Sequence, residues 1–309
     1  MKIVIKFGDK LTFDDITQIV EILEIDSSDR SKKTVDFEYI SNKLANNPNG
    51  AYSVFAYGDI GLIGFMSYTG KLLDGAIVFE LGDVIVRSEG RGKAVFFRML
   101  RRFHKDYPNL SCYGTPNEAA LPHEIKAGYT VATDYIDYRI GMCRWPLQAV
   151  LSKVSLGGLG GGLEKVLGFP LSIVKPMEEK NISYFASTQG ASCMLDVPAT
   201  QLLWRLSLQK EGYRYFCNAD VFFIVRIFVS RGYCLGFVVL SSKHSHLDYY
   251  RLKSALKRVG VNFIVELSGE RSRLKSLVSF RLRRVPFIYI GPYQNYEVVK
   301  FSALDGDNV

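Results

Sequence analysis

Val78 to His104, VFELGDVIVRSEGRGKAVFFRMLRRFH, constrains this chain more than any other stretch. Its first part, Val78 to Val86, is rich in β-branched and apolar side chains and predicts a strand. From Lys93 onward apolar residues recur at Phe96, Met99, Leu100 and Phe103, the spacing of one helical face. Between strand and helix lies Arg87-x-x-Gly90-x-Gly92. Two glycines let the backbone approach a bulky ligand, and the free amides that open the next helix, from about Gly92, form a phosphate site. The spacing does not fit a Walker loop, which needs Gly-Lys-Ser or Gly-Lys-Thr after a longer gap, nor a dinucleotide fingerprint with its third glycine.

The chain is 309 residues long with 48% hydrophobic residues, enough for two ordinary cores. Its five cysteines (Cys112, Cys143, Cys193, Cys217, Cys234) are scattered and form no Cys-x-x-Cys pair, so neither a disulfide framework nor a zinc site is indicated. No apolar run is long enough to span a bilayer, and a soluble, cytoplasmic protein without a metal is expected. The net charge of +8 is unevenly spread: residues 1–140 hold 17 basic and 19 acidic side chains, leaving 22 and 12 for the rest. The second part therefore carries +10, a surface that would attract an anionic partner.

Patterning predicts strand 1–7, a helix capped by Thr12 with Asp15 three residues on, a second helix over 35–45, strands 52–57 and 62–68, then the central strand, turn and helix. A short strand at 110–114, a helix over 117–127 and a strand over 130–141 follow. Residues 144–180, with Gly157-Gly158-Leu159-Gly160-Gly161-Gly162, predict a linker carrying one amphipathic helix. Beyond it come a helix over 198–209, three strands at 213–217, 221–229 and 233–240, a helix ending near Val259, a strand over 261–267, a helix over 270–280 and a last strand at 285–290. The fold class is α+β, a mixed, mostly antiparallel sheet flanked by helices, divided as 1–143, 144–180 and 181–309.

Arg87, Gly90 and Gly92 fill the coenzyme A signature of the GNAT superfamily of acyl-coenzyme A-dependent N-acetyltransferases, which this stretch closely resembles. Gly114-Thr115-Pro116-Asn117 and Lys126-Ala127-Gly128-Tyr129 are similar to that family's asparagine after the fifth strand and to the ending of its last helix. The resemblance covers residues 1–141, and the element order of the second half implies a degenerate repeat of the same fold. In place of the glycines that half has Ser241-Ser242-Lys243-His244-Ser245-His246, so one coenzyme site is expected; His244 and His246 have no metal-binding partners nearby.

The resemblance implies that acetyl-coenzyme A binds along Val84, Ile85, Val86, Arg87, Ser88, Glu89, Gly90, Arg91, Gly92 and Lys93, with Asn117 assisting. Amides near Val84 to Val86 would polarise the thioester carbonyl. A primary amine with a pKa near 10.4 is charged at neutral pH, so a base is needed. Glu80 and Asp83 are the candidates, and period-2 alternation would put them on opposite faces, with Glu80 favoured. The family's usual tyrosine acid falls on Glu124, a departure that leaves Glu124, His123, Tyr129 or water to protonate the thiolate.

Trp204-Arg205 and Tyr213-Arg214-Tyr215 resemble a pattern in two-domain GNAT proteins of surface-polysaccharide synthesis, which implies an amino-sugar or nucleotide-linked amino-sugar acceptor. A Fem-type peptidyltransferase and a basic module for nucleic acid or an anionic surface are the alternatives; the intact coenzyme loop opposes the first, and the core-like aromatic pattern makes nucleic acid the weaker partner. A homodimer is compatible with the sequence.

Overall fold

The computed structural model describes residues 1–26, 36–73, 75–143, 175–176, 202, 204–206, 208, 213–218, 221–230, 232–241, 245–268 and 279–293. The chain opens with β1 (Lys2–Phe7) and α1 (Phe13–Asp26). Thr12 Oγ1 accepts the Asp15 amide at 3.2 Å and Asp15 Oδ2 accepts the Thr12 amide at 2.8 Å, the reciprocal cap its spacing predicts. Next comes α2 (Phe37–Ile40), which widens into a π turn over Ser41–Ala45.

Three antiparallel strands follow, β2 (Ala51–Gly58), β3 (Gly61–Leu73) and β4 (Ala76–Val86). They lead to α3 (Val95–Asp106), β5 (Cys112–Gly114), α4 (Leu121–Lys126) and β6 (Thr130–Met142). Among the described residues, the second half supplies β7 (Lys175–Pro176), β8 (Tyr213–Asn218), β9 (Val221–Ser230), β10 (Tyr233–Ser241), α5 (His246–Arg258), β11 (Phe263–Ser268) and β12 (Ser279–Ile290).

All twelve strands join one sheet in the order β1-β2-β3-β4-β5-β12-β6-β11-β10-β9-β8-β7. The pairing is antiparallel except at β4–β5 and β10–β11, which occupy matching places in the two halves. The mixed α+β class is therefore as the sequence predicts, and the arrangement is the tandem one. Between the two five-strand wings lie β12 and β6, and they are crossed: the strand that ends the described chain pairs with β5 of the first half, and β6 pairs with β11 of the second. Each half thus receives one strand from the other.

Two helical layers flank the first wing. Tyr68, Phe79 and Leu81 pack against Met99, Leu100 and Phe103 of α3, while Phe55 and Phe65 on the opposite face pack against Ile16, Ile19 and Ile22 of α1. Covered on both sides, β3 is buried along almost its whole length, as a central strand must be. A third cluster joins the halves, with Leu73, Val78 and Tyr113 of one meeting Phe222, Ile224 and Phe237 of the other.

The predicted helix over 270–280 is corrected at its end: Ser279 and Phe280 open β12, whose alternating side chains suit a strand between two neighbours. The rest of that predicted helix, residues 270–278, lies with most of the predicted linker outside the described residues. Of the basic residues on β12, Arg284 pairs with Asp137 of β6 at 2.9 Å. Among the described residues no helix is long and apolar enough to cross a membrane.

Candidate active site

The cleft begins where β4 and β5 part. They pair only at Phe79–Cys112 and Glu80–Tyr113, after which β4 runs on to Val86 while β5 stops at Gly114, already paired with Ile288 of β12. On its other edge β4 is bulged: Phe65 faces Ile85 and Ser67 faces Gly82, so Asp83 and Val84 together oppose Met66. Asp83 takes the left-handed conformation there, φ 47°, which is strained for a residue with a side chain.

That bulge overturns the expectation that Glu80 and Asp83 lie on opposite faces. An extra residue resets the alternation, and Asp83 Oδ2 accepts from Ser67 Oγ at 2.9 Å and from Lys43 Nζ at 2.5 Å. Glu80 Oε2 lies 3.3 Å from Lys71 Nζ, with both side chains almost wholly buried. Ser67 and Lys71 are four residues apart on β3 and share a face, so both carboxylates sit on the α1–α2 side of the sheet. Lys43, Ser67 and Lys71 were not candidates from the sequence. The only local sign was a lysine embedded among apolar residues, Ile40 and Leu44 around Lys43, where a solvated side chain would be out of place.

At the C-terminal end of β4 the chain makes a tight 3₁₀ turn over Ser88–Gly90 and reaches α3 at Val95, later than the Gly92 start the pattern suggests. The amides of Gly90, Arg91 and Lys93 donate within the turn, to the Arg87, Ser88 and Gly90 carbonyls. Beyond the turn, α3 opens with no side-chain cap on its first amides. Its N-cap, Ala94, is left-handed at φ 53° and supplies no side-chain cap, and the first turn holds no acidic residue.

Gly92 has φ +77° with open space where a Cβ would stand, and a Cβ at Gly90 would come within 2.8 Å of Val86 Cγ1. Arg87 Nε is buried and has no hydrogen-bond partner among the described residues. An uncapped helix end, an orphaned guanidinium nitrogen and room above a glycine together fit a phosphate-bearing coenzyme. Among the described residues no cluster of His, Cys, Asp and Glu is arranged to hold a metal ion.

On the far side of the cleft stands α4. Asn117 Oδ1 caps the turn before it, accepting the amides of Ala119 at 3.0 Å and Ala120 at 2.9 Å. Glu124 is 3% exposed, its Oε2 has no hydrogen-bond partner among the described residues, and burial pushes its pKa up to about 8. His123 is exposed, edge-on to Phe96. Tyr129 is buried beneath α3, where its hydroxyl lies 3.1 Å from His104 Nε2 and 3.4 Å from the Tyr68 hydroxyl. Burial raises both phenols well above their usual value and lowers His104 to about 4, so the trio is neutral at physiological pH. The sequence pattern missed Tyr68, which lies in the core, and His104, which is half-buried beside it.

No protein-family model and no curated protein matches the sequence. Solved structures do resemble it in three dimensions. A GCN5-related N-acetyltransferase from Anabaena variabilis is 14% identical, matching 93% of this chain and 72% of its own at a TM-score of 0.59. A tandem GNAT protein from the clavulanic acid biosynthesis pathway is 11% identical over 95% of this chain and 100% of its own, TM-score 0.54. A glucosamine N-acetyltransferase region in a fungal multi-domain β-N-acetylglucosaminidase is 11% identical over 94% of this chain and 38% of its own, TM-score 0.56. Over nearly its whole length the chain therefore has the GNAT fold in tandem form.

Proposed function

We propose that the protein is an N-acyltransferase that moves an acetyl group from acetyl-coenzyme A to a primary amine. The observation that carries this reading is the conjunction of an open edge of β4 over 81–86 with the uncapped, cation-flanked start of α3. Pyrophosphate would lie against the amides of Ala94 to Phe97, with Arg87, Arg91 and Lys93 around it and Asn117 across the cleft. The amides of Val84 to Val86 would meet the thioester carbonyl, where they stabilise the charge that develops on its oxygen.

In this reading Glu80 takes the proton of the attacking amine and Glu124, protonated at neutral pH, returns one to the departing thiolate. Asp83 accepts from Lys43 and Ser67 as Glu80 pairs with Lys71, so each carboxylate has a cation beside it, and Asp83 is the second candidate for the base; Tyr129 is held in its buried trio as a supporting part. We assign acyl chemistry to the unit made mainly of residues 1–143 and acceptor recognition to 181–309, with 144–180 between them. The +10 of the second part favours an anionic acceptor, and the similarity to a glucosamine N-acetyltransferase region supports an amino sugar.

A panel of amines and amino sugars with acetyl-coenzyme A, read by thiol release, tests this function. Turnover on at least one amine is expected, and Glu80→Gln should lower it at neutral pH with partial recovery at alkaline pH, where free amine is abundant. Release no faster than buffer hydrolysis across the panel would reject the assignment.

A further inference from the structure

Two ion pairs stand at the bulge of β4, the buried Lys71–Glu80 and the half-buried Lys43–Asp83, and one residue of the second half touches the supports of both. Trp204 donates its indole N–H to the carbonyl of Asn42 at 2.7 Å. Its ring lies 5.8 Å from the Lys71 ammonium, which pairs with Glu80. Asn42 belongs to the π turn over Ser41–Ala45, close enough to its end that helix geometry leaves its carbonyl without an intrahelical donor. The next residue, Lys43, is fully buried and holds Asp83.

Asp83 needs holding, because a left-handed aspartate persists only where its surroundings over-determine it. Ser67 Oγ bonds both the Gly82 carbonyl at 3.2 Å and Asp83 Oδ2 at 2.9 Å, and Lys43 supplies the opposing charge. Lys43 belongs to the π turn, and Trp204 bonds the preceding Asn42 carbonyl from outside the first half. The helical turn that carries Trp204 is itself anchored in both cores: Leu202 and Leu206 in the cluster joining the halves, Leu208 beside α1 and α2.

We propose that Trp204 is a positioning residue for the acyl site: through the Asn42 carbonyl it seats Lys43, and through Lys43 it holds the Asp83 bulge that aims the Val84 to Val86 amides. This rests on the acyltransferase reading for its consequence, but the linkage itself is mechanical and can be measured without substrate. Asn42 and Lys43 are consecutive in the π turn, so a shift at the Asn42 carbonyl would move Lys43 directly. The second half would then be required for chemistry on the first even though it contributes no reacting atom.

Trp204→Phe removes the N–H and keeps a ring over Lys71; Lys43→Met removes the ammonium at similar volume. The amide resonances of Asp83, Val84 and Ile85 are followed in the coenzyme-free protein, with coenzyme A affinity and turnover measured alongside. Both variants should move these resonances and lower kcat about tenfold, the scale of a misaligned site, while the coenzyme A Kd changes less than twofold. Phe237→Ala, in the cluster joining the halves but on β10 and away from that turn, should lower stability without moving them, which separates positioning from general loosening.

Unmoved resonances in Trp204→Phe with moved ones in Lys43→Met would overturn the role of Trp204, and unmoved ones in both would overturn the whole linkage. If Trp204→Phe does not fold, Trp204→Tyr is read by the same criteria. Wild-type protein that transfers no acetyl group would instead reject the acyltransferase reading, while the resonances still decide the linkage.

Discussion

The two halves repeat one plan, three antiparallel strands and then a helix and a parallel fifth strand, but they finish the helix differently. In the first half α3 begins at an alanine that caps nothing. In the second, Ser245 and Asp248 close a full capping box on α5: Ser245 Oγ accepts the Asp248 amide at 3.3 Å, and Asp248 Oδ2 accepts the Ser245 amide at 3.0 Å. One helix end is left positive and open, and the other is satisfied and carries a carboxylate whose pKa stays low, its bonds from Ser245 and the nearby Arg251 outweighing burial.

The fourth strands differ in the same sense. Both are bulged, β4 at Asp83 and β10 between Val238 and Leu240, but the second bulge is made of buried apolar residues. Among the described residues the only non-glycines at positive φ are Asp83 and Ala94, both at the first cleft. Strain, orphaned polar atoms and an uncapped helix collect in one half, while local stability was optimised at the matching places of the other. That is the distribution expected when only one half retains a ligand.

The largest effect that would break this contrast concerns Glu124. Its folded-state pKa of about 8 exceeds the usual 4.5, so the folded chain binds a proton that the unfolded chain releases. Its stabilising effect is therefore full below about 4.5 and is lost as pH rises through 8. Glu124→Gln should remove that loss, making the variant more stable than wild type by roughly 3 kcal/mol at pH 7 and equal to it near pH 4.5. Its acyl transfer should fall despite the gain. Denaturant melts at the two pH values check the sign, and equal stabilities at pH 7 would contradict the burial argument.

Gly92→Val comes next. A β-branched residue at φ +77° costs about 1–3 kcal/mol, and here the strain falls on the turn that aims α3. Coenzyme A affinity measured by calorimetry should drop ten- to a hundredfold; an unchanged affinity would remove the turn from the site. The smallest effect sharpens the contrast from the other side. Ser245→Ala should cost about 1 kcal/mol, the usual value of a lost cap, and leave coenzyme A affinity as it was. A loss of affinity there would place coenzyme in the second half.

How much of this was legible in the sequence follows the range of the interactions. The Thr12–Asp15 cap and the glycine turn are encoded within a few residues and are where the pattern puts them. The crossing of β6 and β12 has no local signal, since Phe287 joins Tyr113 across more than a hundred residues, their rings stacked at 5.5 Å. Nor does the Asp83 bulge: alternation is the default for any strand, and only the slipped register against β3 shows where it fails.

Lys43 and Lys71 were invisible for a related reason. Lysine is ordinarily a surface residue, and only the partner carboxylates make these burials tolerable. Glu124 could be found from the GNAT resemblance, because it stands where that family has a tyrosine, but its burial and raised pKa required the packing of α4.

Coenzyme A titrated into the wild-type chain by calorimetry tests the contrast between the halves most directly. The account predicts a single class of site with one coenzyme bound per chain, because among the described residues only α3 offers an uncapped helix end beside an open strand edge. Two coenzymes per chain, or none, would contradict it.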